Sequence, residues 1–149
     1  MINYVGVKRR FSFIGKKNKS FVYDDYAHHP TEIAATLSAA KSLKNKVIVV
    51  FQPHRYTRTK ILIREFIKVL SKVDNLILLE TYSAGEKIIK GATSKDIYSK
   101  ILKKNKNTTY LKNIGDLNKL MKPYTLHQNT IVFMGAGSIS SIAKKYLNN

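Results

Sequence analysis

Hydrophobic and polar positions along the chain alternate between two periods. FVYDDY (21–26) is a short β-rich run, whereas the segment from Thr31 to Leu43 places Ile33, Ala34, Leu37 and Ala40 at helical spacing, with Thr31 reading as its cap. KVIVVF (46–51) is a continuous apolar strand, and a second helix is predicted from about Thr59 to Val73. NLILLE (75–80) gives a third strand and then a loop containing SAGE; Ser94, with Asp96 two positions on, starts a third helix running to about Lys104. TTYL (108–111) is a weaker strand, Asp116 to Met121 a short helix, and TIVFM (130–134) a last buried strand that runs through GAGSIS into a final helix ending near Leu147. The segment GVKRRFSFIGKKNKSFVYDD reads as an extended lead-in or hairpin, with Gly15 to Ser20 as its turn.

Repeated strand–helix units whose strands are apolar on both faces imply an α/β fold: a three-layer, Rossmann-like, mostly parallel sheet flanked by helices. At 149 residues the expectation is one domain over 1–149, with no internal repeat and no Pro- or Gly-rich linker. The absence of cysteine excludes a disulfide framework, a thiolate metal site and a cysteine nucleophile. No apolar run approaches the ~20 residues that span a bilayer, and none has signal length, so the expectation is a soluble, cytoplasmic protein with no membrane partner.

A formal net charge of +18 points first to nucleic acid. Only five of the 27 basic residues are Arg, however (9, 10, 55, 58 and 64), and the lysines are scattered through helices and turns without aromatic interleaving. A solvated lysine surface is the simpler reading, and no nucleic-acid partner is expected. Arg differs from Lys in its planar fork, which binds carboxylate and phosphate bidentately. Four of the five Arg fall in GVKRRF and FQPHRYTRT, where an anionic ligand is to be sought.

In such a sheet, ligands bind beyond the carboxyl ends of the strands. Asp24, Asp25, Tyr26, His28 and His29 follow the first strand; Gln52, His54, Arg55, Tyr56 and Arg58 the second; Tyr82, Ser83, Gly85 and Glu86 the third; Gly135, Gly137 and Ser138 the last. All four groups fall on one edge. Each also has a plain reading: Asp24 or Asp25 as a turn acid, His54 and Arg55 bonded within their own fold, GAGSIS as a tight packing turn instead of a phosphate cradle. Adjacent His point different ways and no third ligand stands at a recognisable spacing, so no metal is assigned. No P-loop, G-x-x-x-x-G-K-[ST], occurs in the sequence. Together the groups describe a basic, imidazole-bearing rim suited to an anionic small molecule.

GVKRRF, DDYAHHPTEIAATL, FQPHRYTRT, YSAGEKIIKG and GAGSI occur here in the order and spacing of the Mur ligase family, and the chain resembles the C-terminal domain of its L-alanine-adding members from about Gly6 to Ile142. Single motifs are loose; DDYxHHPTE combined with FQPHRYTRT is specific. The resemblance implies an ADP-forming ligase of peptidoglycan synthesis that joins L-alanine to UDP-N-acetylmuramate, using ATP with Mg2+ held mainly by a central P-loop domain. The muramate carboxylate would be phosphorylated and then attacked by the amine of alanine. The resemblance implies N-terminal UDP-binding and central domains as partners in cis or in trans; neither is present in these residues, and the chain by itself is expected to be inactive. Residue by residue, Arg9 matches the arginine that reaches the nucleotide and Asp25 the aspartate near the ATP ribose. His54, Arg55 and Arg58 match positions around the reacting carboxylates, and Tyr26 and His28 positions around L-alanine; Gly135 and Ala136 would wall the alanine pocket. The alternative reading is a non-catalytic module, or an inactive remnant, that holds a nucleotide or a peptidoglycan precursor.

Overall fold

The computed structural model describes residues 10–149; Arg9, and with it most of GVKRRF, lies outside them. Six strands form one sheet: β1 (Ser12–Lys17), β2 (Ser20–Asp25), β3 (Val47–Phe51), β4 (Asn75–Leu79), β5 (Thr108–Leu111) and β6 (Thr130–Met134). Their order is β1-β2-β6-β3-β4-β5. Every neighbouring pair is parallel except β1 with β2, the expected lead-in hairpin. The hairpin turns at Asn18 (φ 53°), and Gly15 lies where the β1 register shifts, so it serves a bulge inside the strand and not the turn.

Five helices cover the sheet: α1 (Pro30–Lys41), α2 (Tyr56–Leu70), α3 (Ser94–Leu102), α4 (Leu117–Met121) and α5 (Ile139–Asn148). Because successive strand residues point to opposite faces, β3 gives Val47, Val49 and Phe51 to one core and Ile48 and Val50 to the other. The first core is closed by Ile33 and Leu37 of α1, Phe66 and Leu70 of α2 and Ile97 and Ile101 of α3. The second is closed by Leu117 and Met121 of α4 and Ile139, Ala143 and Tyr146 of α5. Phe51, Phe66 and Phe133 are at most 1% exposed, and each such side chain contributes about 1.5–3 kcal/mol through burial. The architecture is the expected α/β sandwich of three layers.

Two helix starts differ from expectation, those of α1 and α2. His29, not Thr31, caps α1: its Nδ1 accepts from the Thr31 N–H at 3.2 Å, and Glu32 reaches back to the His29 N–H at 3.1 Å. α3 starts at Ser94 as expected, with Thr93 before it as the cap in a reciprocal box with Asp96. The second helix begins at Tyr56, three residues before Thr59, although Arg55 before it offers no side-chain cap.

Candidate functional site

The carboxyl ends of β2, β3, β4 and β6 stand side by side because β6 pairs with both β2 and β3, and β3 pairs with β4. Side chains far apart in sequence therefore meet. The rings of Tyr26 and His28 lie edge to face at 5.0 Å between centroids, His28 and His54 are 6.0 Å apart, and His54 stacks on Tyr82 at 5.5 Å with 9° between planes. Arg58 Nη1 donates to His54 Nδ1 at 3.1 Å. Arg55 is exposed at the head of α2. The expected association of His54, Arg58, His28 and Tyr26 is thus a continuous array.

The hydrogen bonds fix the two imidazoles in complementary forms. A guanidinium only donates, so His54 Nδ1 is an acceptor and its ring proton sits on Nε2. The Tyr26 carbonyl, 2.9 Å from His28 Nδ1, only accepts, so His28 donates there, and Nε2 is the nitrogen left to accept when that ring is uncharged. Burial, together with the charges of Arg58, His28 and Arg55, lowers the pKa of His54 from its ordinary 6.5, against a smaller raising effect of Glu86. At neutral pH His54 is an uncharged donor.

Asp25 is placed differently from an open nucleotide ligand. It is 3% exposed; Oδ1 accepts from the Ala27 N–H at 2.7 Å, and Oδ2 accepts from the Phe11 N–H and the Thr36 hydroxyl, both at 2.8 Å. The carboxylate ties the lead-in segment to β2 and α1. A small cavity beside it is bordered by Arg10, Phe11, Tyr26, Glu32 and Ala35. Asp24, its neighbour, accepts from Ser140 on the opposite face at 2.7 Å.

The glycines of GAGSI serve close packing. A Cβ on Gly135 would lie 2.9 Å from the Gln52 carbonyl oxygen, and one on Gly137 would lie 2.4 Å from Cγ of Tyr82. Tyr82 is therefore held between Gly137 and His54. Ala136, between the two glycines, is partly exposed at the rim. Gln52 bridges the same two strand ends, donating from Nε2 to Ser138 at 2.9 Å. The ring role of Tyr82 was not assigned from sequence, since stacking on His54 and on Gly137 are both long-range relations.

Among the described residues no group of three His, Asp or Glu stands together in a way that would hold a metal ion, and no described helix is long and apolar enough to cross a membrane. What the rim offers is two guanidiniums, an N–H donor, an acceptor nitrogen and small walls. Such a set has the chemistry to bind oxyanions and to exchange a proton.

A family model described as "Mur ligase, glutamate ligase domain" matches residues 9–137. The UDP-N-acetylmuramate–L-alanine ligase of Carboxydothermus hydrogenoformans is 40% identical over 148 residues, covering 99% of this chain and 32% of that protein. Its namesake from Syntrophus aciditrophicus is 41% identical over 148 residues, covering 98% and 31%. The chain therefore spans about a third of the length of the relatives it matches. Among solved structures, the UDP-N-acetylmuramate–alanine ligase of Thermotoga maritima has a TM-score of 0.72 at 28% identity, over 94% of this chain and 29% of that one. A murein peptide ligase of Psychrobacter arcticus has a TM-score of 0.74 at 24% identity, over 95% and 29%, and bears on the fold alone. With motif order, sheet topology and family match in agreement over nearly the whole chain, this protein belongs to the Mur ligase family and corresponds to its C-terminal domain.

Proposed function

We propose that the chain is the closing domain of an ATP-dependent ligase that joins L-alanine to UDP-N-acetylmuramate in the cytoplasm, acting with the UDP-binding and central ATPase domains of the same enzyme. The observation that carries this reading is the convergence of His28, His54, Arg58 and Tyr82 on one edge, in a chain about 40% identical to proteins bearing that activity's name.

ATP, when bound, supplies the phosphoryl group that activates the muramate carboxylate. No described group of residues in this chain fits Mg2+ by itself, so the metal is assigned to the other domains. On the nucleotide side the chain offers Arg10 and the cavity beside Asp25, with Arg9 assigned there by the family resemblance alone; Asp25 acts there chiefly by holding Phe11, the neighbour of Arg10, in place. Arg55 and Arg58 bind the alanine carboxylate and the oxyanion that develops when the amine attacks, where fixed positive charge matters most. Neutral His54 donates its Nε2 proton to the same oxygens. His28, with Nε2 as acceptor, is suited to take the proton that the alanine ammonium loses before attack. Tyr26, Gly135 and Ala136 bound the space for a small side chain.

The test is phosphate release with UDP-N-acetylmuramate, L-alanine and MgATP, with this chain mixed with a separately produced N-terminal plus central fragment. Activity in the mixture, abolished by Arg55→Ala with the fold intact, is expected. Full activity of Arg55→Ala removes the clamp, and an inactive mixture of folded parts favours the binding-module alternative.

A further inference from the structure

The SAGE segment of the loop after β4 has no assigned role in the reaction above, yet its carboxylate makes three hydrogen bonds to the head of α2. Glu86 Oε1 accepts from the backbone N–H of Tyr56 at 2.7 Å and of Thr57 at 3.1 Å, and Oε2 accepts from the Thr57 hydroxyl at 2.6 Å. These are first-turn donors of α2, which a helix leaves without internal partners. The residue that would ordinarily serve them is Arg55, whose side chain has no acceptor.

Arg55 itself holds an uncommon backbone, φ 73° and ψ 141°. Its N–H donates to the Tyr82 carbonyl at 2.9 Å, and its carbonyl accepts from the Thr59 hydroxyl at 3.0 Å. Tyr82 N–H returns a bond to the Pro53 carbonyl at 2.8 Å. The loop thus holds residues 53–57 from both sides: Tyr82 before the helix, Glu86 at its first turn. The loop's own shape delivers the carboxylate. Ala84 (φ 52°) and Gly85 (φ 86°) form a tight turn closed by Glu86 N–H to Ser83 carbonyl at 3.0 Å.

We infer that Glu86 is a positioning residue: by capping α2 across 30 residues of chain it fixes the backbone of Arg55 and the phase of the helix that carries Arg58, and so sets the geometry of the anion clamp. This inference rests on the reading of Arg55 and Arg58 as that clamp. It also means that the head of α2 is already filled by an internal carboxylate, so substrate oxyanions meet the arginine side chains and not the helix terminus.

Asp96 provides a control, because it too is a carboxylate at a helix start, accepting from the N–H of the α3 cap residue Thr93 at 3.0 Å and from its hydroxyl at 2.7 Å, outside the rim. Glu86→Ala and Asp96→Ala are compared. In this chain alone, Glu86→Ala is expected to speed amide exchange at Arg55, Tyr56 and Thr57 by about tenfold or more while the first turn of α3 keeps its protection. In the reconstituted ligase, Glu86→Ala is expected to raise KM for L-alanine about tenfold with KM for ATP unchanged, and Glu86→Gln to recover part of it. Asp96→Ala should lower Tm with neither constant moved. Unchanged exchange at residues 55–57 overturns the inference, as does an equal rise in KM for L-alanine in both variants. Failure of the underlying reading looks different, since Arg55→Ala would then stay fully active.

Discussion

Arg58 Nη1 stands 3.1 Å from Nδ1 of His54, so a permanent cation selects which nitrogen of the imidazole carries its proton. The same contact helps burial keep the ring neutral. Replacing Arg58 by Gln is expected to raise the pKa of His54 towards 6.5 and to relax its tautomer preference. NMR titration of the ring carbons and nitrogens reads both; an unmoved pKa would mean that Arg58 does not act on the imidazole.

Gly137→Ala asks what Tyr82 needs beneath it. The new Cβ would sit 2.4 Å from Cγ and 2.8 Å from Cβ of Tyr82, the part of that side chain least able to swing away. Overpacking of this kind costs about 1–3 kcal/mol. Urea unfolding should show that loss for Gly137→Ala, and adding Tyr82→Ala should recover part of it. No recovery in the double variant would show that the strain lies in the backbone.

Asp25→Asn exchanges two accepting oxygens for one. The single remaining carbonyl cannot serve Ala27 on one side and Phe11 with Thr36 on the other. A loss of about 1–3 kcal/mol is expected from the donors left unmet. Thr36→Val added to Asp25→Asn should cost less than Thr36→Val alone, because their shared bond is already weakened; strict additivity in a double-mutant cycle would argue that the bond contributes nothing.

Stability should fall with acid in two stages, each with a defined sign. His54 is depressed in the folded state, so the unfolded chain binds its proton first: the contribution is whole above pH 6.5 and declines as pH falls below it. Glu86 is lowered by its bonds to Thr57, and Asp96 by its bonds to Thr93. Their contributions hold above the ordinary values of 4.5 and 3.8 and are lost as pH drops past them. Urea midpoints measured from pH 8 to pH 3 test this, with His54→Gln expected to flatten only the upper stage.

How far the sequence could be read divides by distance along the chain. TTYL and TIVFM became β5 and β6 at the bounds expected, because apolar runs between turn residues need only local information. The gathering of Asp25, His28, His54, Tyr82 and Gly135 on one edge followed from strand polarity, which alternation of strand and helix already dictates. The start of α2 did not, since its cap lies 30 residues downstream on another loop. His29 was legible as half of a pair but not as a cap, because imidazole seldom takes the place of a hydroxyl or carboxylate there. The commitment of Asp25 to Phe11 and Thr36 depends on where a hairpin and a helix meet, which no spacing encodes.

The position of β6 carries a consequence for the order in which this sheet is completed. β2 and β3, consecutive strands in the sequence, do not pair with each other; Phe21–Asp25 and Val47–Phe51 are both bonded to Thr130–Met134. Until those residues leave the ribosome, the nascent chain holds a hairpin and a separate group of parallel strands, each with an open edge. Joining them waits on contacts of large sequence separation, the slow kind. Because those same ladders align the ends of β2 and β3, the meeting of His28 and His54 depends on the insertion of the central strand between them.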